Sequence, residues 1–306
     1  MTDTPPNIRQ DDETPEDVKD AATVMPLRQT SDGLEVFMVR RHGDSAFMAN
    51  RYVYPGGKLD ADDCTDEAAE HVSGMSPEEA RDRLDEEIAP LKALGLFLAG
   101  VRETFEEAGL LLARRRGEDD FIDLVSDAET AERYAEARQK LAAGDLAISE
   151  FADREDLVIP LDEVGYFAHW ITPEREERRY DTRFFVVLAP EHQKPLHDER
   201  ETTDSGWVRP SDIIDQNRAG DLQLAPPTLR TLQQLSDFET AESALEFART
   251  HRPPTLLPHM LIGEEVYLVL PGDPEYPDGL APDPAAAPEV TRLKMEELGV
   301  WVERVE

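Results

Sequence analysis

Arg102, Glu103, Glu106 and Glu107 stand within six consecutive positions. At 100° per residue, with Val101 at zero, the three glutamates fall at about 200°, 140° and 240°, and Arg102 flanks them near 100°. Three carboxylates therefore share one helical face. Like charges three and four positions apart repel by a few tenths of a kcal/mol each, so helix propensity gives no reason to cluster them. A hard divalent cation such as Mg²⁺ or Mn²⁺ reverses that sign, because it takes oxygen ligands from carboxylates, water and substrate phosphates. Arg102 is spaced to orient one carboxylate through a bidentate pair. On a very acidic chain the same spacing also describes a solvated acidic face, and the four residues alone leave both readings open.

The element that must carry them is a helix. Leu94, Phe97, Leu98, Val101, Phe105 and Ala108 fall in one arc opposite the glutamates, which is the apolar stripe of a helix packed on a core. Upstream, residues 40–58 hold Arg40, Arg41, Arg51 and Lys58 against the single acid Asp44, and include Gly56-Gly57. A local positive excess beside a Gly-Gly turn suits a polyanionic substrate, since glycine lets the main chain come close to phosphates. Pairing of these side chains with the acidic surface is the competing reading.

Arg102-Glu103-x-x-Glu106-Glu107-x-Gly109-Leu110 resembles the second half of the Nudix box, G-x5-E-x7-R-E-U-x-E-E-x-G-U with U apolar, the signature of the Nudix hydrolase superfamily. Thr104 departs from it at the first U. The first half resembles Tyr54-Pro55-Gly56-Gly57-Lys58-Leu59-Asp60, with Asp63 where the upstream Glu would sit. Gly57 and Arg102 are 45 positions apart where the uninterrupted motif needs 14, so about 31 residues are inserted inside it. An insert there resembles the branch typified by the mammalian peroxisomal coenzyme A diphosphatase and its bacterial relatives. Phe47-Met48, Trp170-Ile171-Thr172-Pro173, Arg179-Tyr180-Asp181-Thr182-Arg183-Phe184-Phe185 and Pro226-Pro227-Thr228-Leu229 resemble the same branch. The resemblance runs from about residue 21 to about residue 237.

The resemblance implies an α/β (α+β) Nudix fold, a mixed β-sheet sandwiched between helices. It implies Glu103, Glu106 and Glu107 as ligands of Mg²⁺ or Mn²⁺, with Glu106, Glu103, Arg102 and Glu201 in the catalytic set. Glu201 would be a loop general base or extra ligand, although it also reads as a solvated carboxylate among Asp198, Glu199 and Asp204. Arg40, Arg41, Arg51, Gly56, Gly57 and Lys58 are the expected substrate-binding residues. The implied reaction is metal-dependent hydrolysis of a nucleoside diphosphate linked to another moiety, with coenzyme A or acyl-coenzyme A, cleaved to 3',5'-ADP and a phosphopantetheine, as the first expectation. Another dinucleotide, a nucleotide sugar or NADH stays open as substrate. A non-catalytic nucleotide-binding Nudix module is the rival, and the presence of all three box glutamates counts against it. Asp63 in place of Glu leaves the role of the upstream position open, and a homodimer contact is neither required nor excluded.

The 306 residues include 32 Lys and Arg against 67 Asp and Glu, for a formal net charge of −35. That balance excludes a general nucleic-acid or anionic-membrane binder, whose affinity comes from basic surface. Lysine is scarce beside arginine, 6 against 26, a composition that a high-salt cytoplasm would tolerate because salt screens self-repulsion. The single cysteine, Cys64, allows no internal disulfide and makes no zinc pattern. No apolar run approaches the roughly 20 residues of a membrane span, and the N-terminus lacks a basic region followed by an apolar one. The last residues, Arg304-Val305-Glu306, lack a Ser-Lys-Leu address. The expected location is cytoplasmic.

Along the chain, residues 1–20 read as a disordered acidic tail and 21–252 as the Nudix domain, with a helical insert at about 64–93. Runs 21–28 and 34–41 flank Asp32-Gly33, a hairpin signal. In the insert, Ser76-Pro77-Glu78-Glu79 forms a capping box that predicts a helix over 77–88, expected to pack over the sheet edge. Residues 110–113, 163–172 and 180–188 read as strands, and 128–143, ended by Gly144, 229–238 and 241–250 as helices. Residues 253–306 read as a C-terminal extension packed on the domain, in which 266–270 and 300–302 are expected to pair.

Overall fold

The computed structural model describes residues 17–41, 52–195, 202–282, 288, 290–296 and 301–303. The chain opens with β1 (Lys19–Thr30) and β2 (Gly33–Arg41), followed by the short β3 (Tyr52–Val53) and β4 (Gly56–Lys58). β1 and β2 form the expected hairpin, with Thr30 opposite Gly33. The insert contributes a 3-10 turn (Ala61–Cys64), α1 (Asp66–Ala69), β5 (Val72–Ser73) and α2 (Pro77–Leu84), and leads into the long helix α3 (Pro90–Ala108). β6 (Arg114–Arg115), α4 (Ala128–Ala142), α5 (Ile148–Glu155) and β7 (Leu157–Pro160) precede β8 (Gly165–Ile171), β9 (Tyr180–Leu188) and β10 (Thr202–Val208). Three helices follow, α6 (Pro210–Ala219), α7 (Pro226–Ser236) and α8 (Ala241–Thr250), then β11 (Thr255–Leu256), β12 (His259–Ile262), β13 (Val266–Val269), β14 (Arg292–Met295) and β15 (Trp301–Glu303).

The main sheet runs in the order β10-β2-β1-β9-β8-β11, with β3 beside β2 and β4 beside β1. It is mixed: β1 runs parallel to β9 and antiparallel to β2 and β4. β1 is long enough to serve both antiparallel partners, β4 along Ala21, Ala22 and Thr23 and β2 from Leu27 to Thr30. The strand period of two sends alternate residues to opposite faces. Val24 of β1 and Phe185 and Val187 of β9 join α2, α3, α4 and α5 in one core, while Met25, Leu27, Phe184 and Val186 join α6, α7 and α8 in another. The architecture is thus a mixed sheet between two helical layers.

Three local expectations are corrected by the structure. Residues 110–113 are buried but form no ladder. The Gln193 side chain does the pairing there, accepting from the Leu111 N–H at 2.8 Å and donating to the Leu111 carbonyl at 2.9 Å, so a side-chain amide replaces a neighbouring strand. The insert helix begins at its capping box, where Ser76 Oγ accepts from the Glu79 N–H and Glu79 Oε2 from the Ser76 N–H. It stops at Leu84 because Asp85 turns left-handed, with φ 58°. Its buried residues Ala80 and Leu84 lie in the core with α3. Finally, β13 and β15 share a sheet but do not pair, since β14 lies between them. Helices α5 and α6 and strand β7 are among the elements that sequence patterning had not marked. Leu268, Leu293 and Trp301 of the C-terminal sheet, with Leu270 just after β13, are buried in the same core as α6, α7 and α8.

Candidate active site

Helix α3 carries the glutamate cluster on its last two turns. It ends where Gly109 adopts φ 68° and its N–H bonds to the Phe105 carbonyl at 2.9 Å, a left-handed cap that glycine accommodates without strain. Arg138 of α4 reaches across to the same end, where its Nε donates to the Glu106 carbonyl at 2.8 Å and its Nη2 to that of Glu107 at 3.2 Å. Those are carbonyls that a helix terminus leaves without intrahelical partners, and a cation there also complements the helix dipole. Thr104, the departure from the apolar motif position, is fully buried and bonds back to the Gly100 carbonyl at 2.7 Å, so its hydroxyl is satisfied inside the core.

The apolar stripe of α3 is buried as its spacing requires, yet the acidic face is not solvated either. Glu106 and Glu107 are each only 8% exposed. The segment from Gly56 to Asp63 lies over that face and touches it along its length. The Gly56 N–H donates to Glu107 Oε2 at 3.0 Å. Gly57 lies so close to Glu103 that a Cβ there would be 2.2 Å from Glu103 Oε1. The carbonyl of Lys58 accepts from Arg102 Nη2 at 2.9 Å, while the Lys58 side chain is exposed.

Arg102, 6% exposed, is the hub. Its Nε and Nη2 form a bidentate pair with the two oxygens of Asp63, both at 3.0 Å, and its Nη1 donates to Glu103 Oε1 at 2.9 Å and to Glu106 Oε1 at 3.2 Å. Asp63 is 1% exposed and also accepts from the Asp60 N–H, so the upstream acid of the interrupted motif closes on the arginine across the insert. One guanidinium is therefore shared by the buried carboxylates of Asp63 and Glu106 and the part-buried carboxylate of Glu103. Burial, opposed by Arg102 and reinforced by Glu107 and Glu106, pushes the Glu103 carboxyl up to about 8. Burial likewise raises Glu106 and Asp63 against the pull of Arg102. Carboxylates held together without enough positive charge form a donor set that a hard divalent cation matches in charge and in ligand type.

The structure brings together Arg102, Glu103, Glu106, Glu107, Gly56, Gly57 and the main chain of Lys58. Arg40 and Arg41 end β2, where the main chain of Arg40 is in register with Tyr52 and Asp204 and that of Arg41 with Thr202. Arg51, Phe47-Met48 and Glu201 lie outside the described residues. Sequence reasoning missed Arg138, which carries no signal beyond a basic residue on an amphipathic helix. It placed Tyr54 in the box but missed its contact: the hydroxyl meets Thr231 Oγ1 of α7 at 3.1 Å in the core and ties the chain before Gly56-Gly57 to the opposite helical layer. The signal for that contact was indirect, because the Pro226-Pro227-Thr228-Leu229 stretch that opens α7 had already been set apart as a motif. Among the described residues no helix is long and apolar enough to cross a membrane.

Comparison with known proteins agrees with this architecture. The family model described as NUDT19 Nudix domain matches residues 17–235. The chain is 27% identical over 285 residues to the acyl-coenzyme A diphosphatase NUDT19 of Gallus gallus, covering 79% of this chain and 74% of that protein. It is 24% identical over 280 residues to the Homo sapiens protein of the same name, covering 78% and 73%. A crystal structure of a NUDIX hydrolase from Alicyclobacillus acidocaldarius superposes with a TM-score of 0.63 at 26% identity, covering 75% of this chain and 96% of that one. With its interrupted box reassembled around Arg102, the chain belongs to the NUDT19 Nudix domain family and is a Nudix-type pyrophosphohydrolase.

Proposed function

We propose that the protein hydrolyses the diphosphate of coenzyme A or an acyl-coenzyme A, in the presence of Mg²⁺ or Mn²⁺, to 3',5'-ADP and the corresponding phosphopantetheine. The observation that carries the chemistry is the single guanidinium of Arg102 shared by Asp63, Glu103 and Glu106 beside the Gly56–Lys58 main chain. The coenzyme A assignment is supported by the relatives named acyl-coenzyme A diphosphatase in chicken and human.

Glu103, Glu106 and Glu107 are the residues that would hold the divalent ion. When bound, the ion supplies charge neutralisation on the diphosphate and lowers the pKa of the attacking water. Arg102 keeps Glu103 and Glu106 in fixed orientation, and Asp63 keeps Arg102 in place from behind. The Gly56 N–H fixes one oxygen of Glu107. A carboxylate of this set, or Glu201, accepts the proton of the attacking water as one P–O bond forms and the bridging P–O bond breaks. Each product leaves with one of the two phosphates. Arg40, Arg41, Arg51 and Lys58 would offset the negative charge of the substrate in a chain of net charge −35.

The test is product identification by chromatography and mass spectrometry after incubation with coenzyme A, an acyl-coenzyme A, NADH, ADP-ribose and a diadenosine polyphosphate. Each is run with Mg²⁺, Mn²⁺ or chelator, beside Glu106→Gln and Glu107→Gln. Metal-dependent phosphopantetheine that disappears in both variants is the expected result. Turnover of a different panel member overturns the coenzyme A assignment, and no turnover under any condition overturns catalysis.

A further inference from the structure

A motif interrupted by about 31 residues works only if both ends of the interruption are held where the uninterrupted chain would have put them. We propose that Arg183 is the positioning residue that joins those two ends, an inference that rests on the Arg102–glutamate cluster being the catalytic site. Arg183 lies on β9, is 1% exposed, and belongs to the Arg179–Phe185 stretch to which the reaction assigns no role. Its Nε donates to Glu86 Oε1 at 3.0 Å and its Nη2 pairs with Glu86 Oε2. Glu86 sits on the returning arm of the insert, four residues before Pro90 opens α3. Arg183 Nη1 donates to Asp20 Oδ1 at 2.8 Å.

Asp20 connects to the departing end. Its carbonyl accepts from the Leu59 N–H at 3.0 Å, next to Lys58, whose carbonyl holds Arg102. Its other carboxylate oxygen lies 2.6 Å from Lys92 Nζ in the first turn of α3. One guanidinium thus touches the carboxylate that anchors the start of α3 and the carboxylate on the strand that anchors the Gly57–Asp63 segment. Asp181 holds the arginine from behind, accepting from Nη1 at its carbonyl and lying 3.1 Å from Nη2 through Oδ2, and His169 meets Asp181 Oδ1 at 2.5 Å and Thr255 Oγ1 at 2.9 Å. Glu86, His169 and Asp181 are spaced as metal ligands would be. The guanidinium already lies on both of those carboxylates and supplies the positive charge, so the cluster is an ion network with a fixed organic cation.

The experiment compares Arg183→Gln and Glu86→Gln with Arg292→Gln, which breaks a comparable ion pair to Asp273 in the C-terminal sheet, far from this network in the chain. Mn²⁺ affinity is measured by titration calorimetry well below the melting temperature, beside kcat, KM and thermal melting. Arg183→Gln and Glu86→Gln are expected to weaken Mn²⁺ binding and lower kcat by about tenfold or more, the scale of lost outer-shell support, with KM little changed. Arg292→Gln is expected to lower the melting temperature only. If Arg183→Gln fails to fold, Glu86→Gln carries the test. Normal Mn²⁺ affinity and kcat in whichever of these folds overturns the proposal. Glu106→Gln in the parent separates the two readings, because full activity there overturns the site itself whatever Arg183 does.

Discussion

Replacing Arg102 by lysine keeps the charge and removes the fork. Arg102 makes five hydrogen bonds, two to Asp63 and one each to Glu103, Glu106 and the Lys58 carbonyl. An ammonium offers three donors from one point, so at least two of these bonds are lost. Bonds to charged groups contribute about 1.5–3 kcal/mol each, which sets the cost of Arg102→Lys at about 3–6 kcal/mol. The site is buried, so water does not replace them cheaply; Asp63 is 1% exposed. Against a net stability of about 5–15 kcal/mol, the lower cost of about 3 kcal/mol leaves the variant folded at room temperature. At about 2–4 °C per kcal/mol for a domain of this size, the lower bound corresponds to a fall in melting temperature of about 6–12 °C. Catalysis suffers separately, because Glu103 and Glu106 lose the donor that orients both, and a fall in turnover of about tenfold or more is expected. The assay is thermal melting by circular dichroism together with initial rates of diphosphate hydrolysis at a temperature where both proteins are folded. A variant that melts within about 2 °C of the parent and turns over within about twofold of it would refute the fork as the organiser of the site.

Three other perturbations have definite signs. With metal chelated, the raised Glu103 carboxyl, at about 8, means that the folded state binds a proton more tightly than the unfolded chain does. Stability of the metal-free protein should therefore fall as pH rises from the ordinary glutamate range to about 8, and Glu103→Gln should flatten that slope in denaturant titrations. Gly57→Ala should abolish hydrolysis with a smaller effect on folding, because its Cβ would be 2.2 Å from Glu103 Oε1 and the carboxylate must leave its position; parent-like kinetics would contradict the geometry. Thr231→Val should destabilise more than Tyr54→Phe in chemical denaturation. The first strands a buried tyrosine hydroxyl at about 1–3 kcal/mol, while the second leaves Thr231 bonded to the Pro227 and Thr228 carbonyls.

Local signals were legible where one chemical rule decides the outcome. The Asp32-Gly33 turn specified the β1–β2 hairpin, and the Ser76–Glu79 capping box specified the start of α2. The helical spacing of Glu103, Glu106 and Glu107 marked them as one cluster, and the box around them marked the superfamily. Residues 110–113 were apolar enough for a strand, but their partner is a side-chain amide 82 positions away, which no local pattern encodes. The ends of elements also escaped, as at Leu84, where a left-handed aspartate ended the helix early.

The sequence by itself determined the superfamily, the helix that carries the three glutamates and the existence of an interruption, because periodicity and motif spacing are properties of neighbouring residues. Only the tertiary structure decided that the acidic face is buried rather than solvated, since burial depends on the Gly56–Asp63 segment folding over it. It also decided that Asp63 meets Arg102 across 39 positions, and that Arg183 gathers Asp20 and Glu86 from 163 and 97 positions away. Such contacts form because a desolvated charge needs a partner wherever the packed chain can supply one, and separation along the sequence imposes no limit on which partner that is.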